Sequence, residues 1–360
     1  MSDDPKELTK KIILNAIKSE KRPERLWYLD YFEKDPFESR YDESVSSFFF
    51  NQEKAKNELA EYIGFALKGA VGNIAIAGSY GCGKTTLFFY MKFIIDELVQ
   101  TNDEFQKVKF VSYWDTDEEN IHDYEDNNIV FLDDCTVFDD VMKHLRALKK
   151  STRLIVSFWD QLVLERALEN KNNLAFFDKI LFLKKIENLD ELKNFLELRF
   201  KYARATKKLL EIINEKNLSL ILTYSKGIPA AILQIVQFIF SMKFKLGIKE
   251  IDENFVRDCL LKLGYFKETT KALRNTMKLI CFYYLQYENY IKSKDLQEIT
   301  RKDISTINKH IKALENLNLI ERINYDGRGT AFRPKLAVFV QIQDLVDDIS
   351  QRLQEIKNQT

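Results

Sequence analysis

The chain has 360 residues, 45% hydrophobic and 31% charged, the proportions of an ordinary soluble globular protein of two or three domains. Its 55 Lys and Arg balance 55 Asp and Glu, so no global field draws the whole chain to nucleic acid or to an anionic bilayer, and any such attraction has to be local. Four scattered cysteines without a C-x-x-C pair and only three histidines leave no zinc or disulfide pattern; with a polar, acidic start unlike a signal peptide, they fit a reducing cytoplasm.

In chain order, residues 1–45 read as an N-terminal extension, a helical run over 7–18 followed by an aromatic connector that ends at Asp35-Pro36-Phe37. A core domain is expected over 46–187. It opens with a helix carrying Leu59, Tyr62, Ile63 and Leu67 on one face. The apolar run Asn73-Ile74-Ala75-Ile76-Ala77 then leads into Gly78-Ser79-Tyr80-Gly81-Cys82-Gly83-Lys84-Thr85, which fits G-x-x-x-x-G-K-[ST] without mismatch, and Thr86 onwards takes up a helical pattern. Strand, glycine loop and helix in that order make a phosphate site: backbone N–H groups curl around the anion and the helix N-terminus adds partial positive charge. Residues 78–86 are therefore the predicted nucleotide-binding segment. Lys84 is expected to reach the β- and γ-phosphates, and the Thr85 hydroxyl to ligate Mg²⁺.

Further β-branched and aromatic runs predict strands at 108–113, 128–132, 153–158 and 180–183, mostly separated by helical patterns. The expected fold is α/β, a parallel sheet of about five strands covered by helices. The second of these runs ends in Asp133-Asp134. A carboxylate at the C-terminal edge of such a sheet can hold Mg²⁺, the role expected of Asp133, while Asp134 is placed to polarise the attacking water of ATP hydrolysis. Asp134 is one methylene shorter than Glu, so slow or partner-dependent turnover is expected. Ser157 and Asp160 end the next strand, where a polar group either senses the γ-phosphate or caps the following helix; Asp160 joins Lys84 and Asp134 as a candidate catalytic group.

Residues 188–265 show helical periodicity alone, with helices over 190–200, 209–224 and 252–262, and read as a helical lid. Its apolar run over 228–242 is interrupted by Pro229, Gln234 and Gln237 and is too short to span a bilayer. Gly227-Ile228-Pro229 reads as a helix C-cap followed by a proline start.

Residues 266–360 have a different character. Helices are expected over 276–287, 293–299 and 303–318, the last burying Ile304, Ile307, Ile311, Leu314 and Leu317. Its opposite face carries Ser305, Thr306, Asn308, Lys309 and Lys312, groups suited to base edges and phosphates. A strand over 319–325, a tip at Asp326-Gly327-Arg328-Gly329-Thr330 and a return through Arg333 complete a winged helix-turn-helix, with residues 342–356 as a closing helix. Between Lys292 and Lys335, ten Lys and Arg stand against six Asp and Glu, a net of +4 that supplies the local positive field. Arg322, Arg328 and Arg333 are the expected phosphate contacts, and double-stranded DNA the expected partner. The same architecture also serves for docking protein.

The combination of phosphate loop, helical lid and C-terminal Gly-Arg-Gly wing resembles the archaeal initiator ATPases of the AAA+ class, the origin-recognition and cell-division-control proteins, and their plasmid and viral relatives. The resemblance runs from about Phe49 to Lys335. It includes Phe50-Asn51-Gln52-Glu53 ahead of the loop, Ile251-Asp252-Glu253-Asn254-Phe255-Val256 in the last lid helix, and Leu314-Glu315-Asn316-Leu317-Asn318-Leu319-Ile320 at the start of the wing. It implies ATP and Mg²⁺ as ligands, DNA-bound self-association or a protein partner, and a nucleotide state that sets the arrangement of lid and wing. The chain departs from the pattern at Ala230, where the family's lid arginine is expected, at Phe158-Trp159-Asp160, where a sensor asparagine is usual, and at Asp178-Lys179, where an arginine finger would stand. Gly227-Ile228-Pro229 is equally similar to signal-transduction and transposition-helper ATPases. A nucleotide-bound transcription regulator and a transposition or translocation helper are accordingly the alternative functions.

Overall fold

The computed structural model describes residues 32, 36–37, 52–70, 72–101, 103–112, 128–135, 141–143, 152–158, 160, 163, 176–265, 269–286, 291–324 and 330–342. The expected helix over 7–18, the helix starting at Gln161, the wing tip with Arg328 and most of the closing helix lie outside these residues.

Helix α1 (Glu53–Leu67) precedes strand β1 (Asn73–Ala77), helix α2 (Lys84–Val99) and strands β2 (Val108–Ser112), β3 (Ile129–Cys135), β4 (Arg153–Phe158) and β5 (Phe177–Phe182). They form one five-stranded parallel sheet in the order β2-β3-β4-β1-β5, as expected from the alternation of strand and helix patterns. The two-residue strand period divides the core. Ile74, Ile76, Ile129, Phe131, Ile155 and Leu181 face α1 and α2 on one side, while Ala75, Ala77, Val130, Leu132, Leu154 and Val156 belong to the core that continues into the helical region. Strand β5 begins three residues before its expected start, with Phe177 buried beneath Phe158 at a centroid distance of 6.1 Å.

The segment expected to form the lid consists of α3 (Leu189–Tyr202), α4 (Leu209–Ile212), α5 (Glu215–Ser225), α6 (Pro229–Leu246) and α7 (Glu253–Leu263). The single helix expected over 209–224 is two. Ile213 leaves the helical region, and Asn214 starts a new helix by accepting the Asn217 N–H at 2.9 Å. Helix α6 has 18 residues and a mean hydropathy of 1.2, so it outgrows the apolar run read from the sequence and reaches the length and composition of a membrane span. Its stripe Ala231, Ile232, Ile235, Val236, Ile239 and Phe240 is buried in the protein core. Phe32 from the N-terminal extension packs edge-on against Phe200 of α3 at 4.7 Å.

Lid and core meet along a main-chain seam. The Ile186 N–H, just past β5, donates to the Gly227 carbonyl at 2.8 Å, and a Cβ on Gly227 would stand 2.0 Å from the Ile186 oxygen. Gly227 also has φ +71°, so only glycine fits here on both counts.

The C-terminal region contains α8 (Lys271–Gln286), β6 (Ile291–Lys292), α9 (Ser293–Thr300), α10 (Ile304–Asn316), β7 (Ile320–Asn324), β8 (Thr330–Pro334) and α11 (Leu336–Gln341). Its strands form an antiparallel sheet in the order β6-β8-β7. Helix α8 begins five residues earlier than expected, because the Thr270 hydroxyl accepts the Leu273 N–H at 3.3 Å and supplies the start. Helix α11 was not anticipated. The Asn318 amide donates to the Lys262 carbonyl at 2.5 Å and the Gln341 amide to the Gly264 carbonyl at 2.7 Å, fastening this region to the end of α7.

Candidate nucleotide site

The phosphate loop leaves β1 and enters α2 at Gly83, which caps the helix with φ 102° and no side-chain acceptor for the first-turn N–H groups. That helix start is open to an anion. Lys84 is 5% exposed, and its ammonium donates to the Gly78 and Ser79 carbonyls at 3.1 and 3.0 Å, so it lies back along the loop. The Ser79 hydroxyl is buried and has no partner among the described residues. Cys82 is buried with its sulfur 3.8 Å from the Lys84 ammonium, and burial pushes its thiol up, so it is not a nucleophile here.

Strand β3 brings Asp133 and Asp134 to the same end of the sheet, across the intervening β4. A register irregularity between Leu132 and Cys135 marks their position, and Asp134 takes φ 60°, a left-handed conformation that Asp tolerates at a small cost. The Thr85 hydroxyl stands 3.5 Å from an Asp134 oxygen. The buried Ser157 hydroxyl donates to Asp133 at 2.5 Å and so orients that carboxylate. Burial raises both carboxyls. Asp133 is held partly down by its bonds from Ser157 and Thr85; Asp134 is pushed up to about 6 by burial and then by the charge of Asp133.

Two carboxylates and a hydroxyl make an all-oxygen site that fits a small hard cation such as Mg²⁺, which keeps several waters and borrows phosphate oxygens. Among the described residues no cluster of three His, Cys, Asp or Glu side chains offers an alternative metal site.

Asp160 is 3% exposed and its carboxylate accepts the Tyr80 N–H at 2.7 Å, which ties the end of β4 to the loop backbone. The next carbonyl, that of Gly81, accepts the Ala230 N–H of α6 at 3.1 Å. A Cβ on Gly81, whose φ is +80°, would stand 2.5 Å from the Ala230 Cβ. The position where the resemblance implies an arginine is thus occupied by a methyl group packed on the loop itself. Gln52, ahead of α1, donates to and accepts from the backbone of Lys184 at 2.7 and 3.2 Å and fastens the start of the core domain to the segment leaving β5.

The comparisons stand beside this geometry. No protein-family model matches the chain, and no curated protein does. Among solved structures, Aeropyrum pernix ORC1 in complex with DNA is similar over 90% of this chain and 99% of that chain, at 13% identity and a TM-score of 0.50. The chain shares the fold of that ORC1 structure. Aeropyrum pernix ORC2 in its ADPNP–ADP complexes covers 90% of this chain and 100% of its own at 16% identity, with a TM-score of 0.45. The Holliday junction branch migration motor RuvB of Thermotoga maritima covers 82% and 95% at 15% identity, with a TM-score of 0.41. Within this fold, the predicted loop residues, Asp133 and Asp134 converge at one end of the sheet, and Asp160 joins them through the loop backbone.

The residues expected to meet DNA are distributed over the C-terminal region. On α10, Asn308, Lys309 and Lys312 are exposed, Thr306 is half-buried, and Ile307, Ile311 and Leu314 are buried behind them. Asp303 caps the helix by accepting the Ser305 N–H at 2.9 Å, and the Ser305 hydroxyl turns to the same carboxylate. Arg322 makes a two-pronged pair with Glu315 at 2.9 and 3.0 Å, and Arg333 pairs with Glu321 at 2.5 Å. Two of the three expected phosphate arginines therefore spend their charge inside the region. Arg301 and Lys302, exposed in the turn between α9 and α10, were not singled out in the sequence, although their place ahead of Asp303 was a signal for them.

Proposed function

We propose that the chain is an ATP-binding, slowly hydrolysing DNA-associated ATPase of the initiator type. The observation that carries the reading is the convergence of the Lys84–Thr85 helix start with Asp133 and Asp134. Lys84 and the open N–H groups at the start of α2 bind the β- and γ-phosphates of ATP, while Thr85 and Asp133 hold Mg²⁺. When bound, Mg²⁺ supplies charge neutralisation to those phosphates. Asp134 orients the attacking water and accepts its proton; a carboxyl near 6 is a stronger base than an ordinary aspartate while still ionised at neutral pH. Ser157 holds Asp133 in place, and Asp160 acts through the loop backbone as a positioning group.

The C-terminal region acts as a winged helix-turn-helix on double-stranded DNA, with α10 as its reading helix. The exposed Asn308, Lys309 and Lys312 support this, as does the DNA complex of ORC1, whose fold the chain shares. The internal pairing of Arg322 and Arg333 moves the phosphate contacts toward Arg301, Lys302, Lys309 and Lys312 and supports a smaller basic footprint than the sequence suggested. A protein-docking role for this region is the outcome left if DNA binding fails.

The test is a titration with a fluorescent ATP analogue followed by DNA footprinting. The wild type binds the analogue, and Lys84→Ala binds it at least about tenfold more weakly, since a charge-assisted contact to phosphate is worth a few kcal/mol. An upstream repeat array in the footprint supports initiation, a single promoter half-site supports regulation, and no footprint supports the helper. Equal binding of the analogue by parent and variant would overturn the nucleotide site.

A further inference from the structure

The far end of the chain touches the phosphate loop. The Tyr80 ring lies 5.0 Å from that of Phe339 on α11, tilted by 44°, and Phe339 in turn stands 6.4 Å from Tyr284 of α8. The main chain around the same residue is held as well: Tyr80 donates to Asp160, and Gly81 accepts from Ala230. Two consecutive loop residues are therefore gripped from three directions, by the end of β4, by the lid and by the C-terminal region. None of these contacts uses Lys84 or the open N–H groups of α2.

A glycine loop that must order itself around an anion loses affinity to that ordering, and one already braced loses less. We propose that Phe339 is a positioning residue for the phosphate loop: its ring braces Tyr80, so that docking of the C-terminal region and nucleotide binding favour one another. The inference rests on the nucleotide site proposed above. Because the coupling is reciprocal, nucleotide must steady α11 by the same factor by which Phe339 tightens nucleotide. An aromatic pair of this kind corresponds to about a three- to tenfold change in affinity.

The test uses the full chain and a fluorescent ATP analogue. Tyr80→Ala and Phe339→Ala are each expected to weaken binding about three- to tenfold, and the double variant no further than the worse single, because both remove one contact. Phe339→Tyr, which keeps the ring, is expected to bind within twofold of the wild type. Hydrogen exchange supplies a readout that a merely structural residue would not move: the analogue slows exchange over residues 336–342 in the wild type but not in Tyr80→Ala. Should Phe339→Ala fail to fold, Tyr80→Ala carries the same test from a partly exposed ring. A wild type that binds the analogue while the variants bind it equally, or effects of the two alanines that simply multiply, overturns the brace alone. A wild type that fails to bind the analogue overturns the nucleotide site and the brace together.

Discussion

Replacing Asp134 by Asn separates the chemistry of the site from its cost to the fold. Asn adopts the left-handed conformation at φ 60° as readily as Asp, so the backbone of the β3 irregularity is kept. What is lost is a carboxylate that burial and Asp133 have displaced from its ordinary 3.8 to about 6. In the folded chain this group holds its proton between roughly pH 4 and pH 6, where the unfolded chain has released it. Stability is therefore lost as pH rises through that window, and above it the folded state carries a penalty on the order of 3 kcal/mol, at about 1.4 kcal/mol per pH unit. Asp134→Asn should remove most of it. At pH 7.5 without nucleotide the variant should melt several degrees higher than the parent, and near pH 4 the gap should close. Differential scanning calorimetry at the two pH values reads both. The same variant should bind ATP and fail to turn it over, since an amide accepts no proton from water. A melting gap that is the same at both pH values, or a variant less stable at neutral pH, would refute the account of Asp134 as an ionised group held at a cost.

Asp133→Asn should raise the Mg²⁺ concentration needed for tight ATP binding, read as the midpoint of a Mg²⁺ titration followed with the fluorescent analogue; an unchanged midpoint would move the cation to other oxygens. Gly81→Ala places a Cβ 2.5 Å from Ala230 at a left-handed φ and should cost more than about 1 kcal/mol while loosening the lid, seen as a lower melting temperature and faster exchange at the start of α6. On α10, Asn308→Ala should cost about 1–3 kcal/mol on a cognate site and little on random DNA, whereas Lys309→Ala should weaken both alike and reduce the log–log salt slope by about one. A fluorescence-anisotropy salt series decides between them. In the same series Arg322→Ala should leave the slope unchanged, because Glu315 already answers its charge; a drop of one would return Arg322 to the phosphates.

The glycine loop between its strand and helix was legible in the sequence because that setting is written in consecutive residues. The sheet was nearly so, since each strand carries its own β-branched run. Asp133 and Asp134 were found by position alone, at the end of such a run, but their hydroxyl partners lie 24 and 49 positions away. Asn214 was a readable signal that one lid helix was two, and periodicity outweighed it. Arg322 and Arg333 looked like free cations because pairing from strand to helix, as with Glu315, or from strand to strand, as with Glu321, leaves no mark in local composition. Nothing pointed to Phe339, which sits in an apolar run that reads simply as core. Its partner Tyr80 lies some 260 positions earlier, a separation that only the folded chain closes.

The seam at Gly227 limits how the lid can move. With the Ile186 and Gly227 backbones bonded and in contact, the two segments cannot slide past each other without breaking a buried hydrogen bond. A movement of the lid that kept this bond would be a rotation about that point, and the Ala230 N–H bond to the Gly81 carbonyl lies beside the same pivot. The distance from it to any lid residue then sets the length of that residue's arc: Ala230, three residues away, can only tilt, while the far end of α6 at Leu246 sweeps.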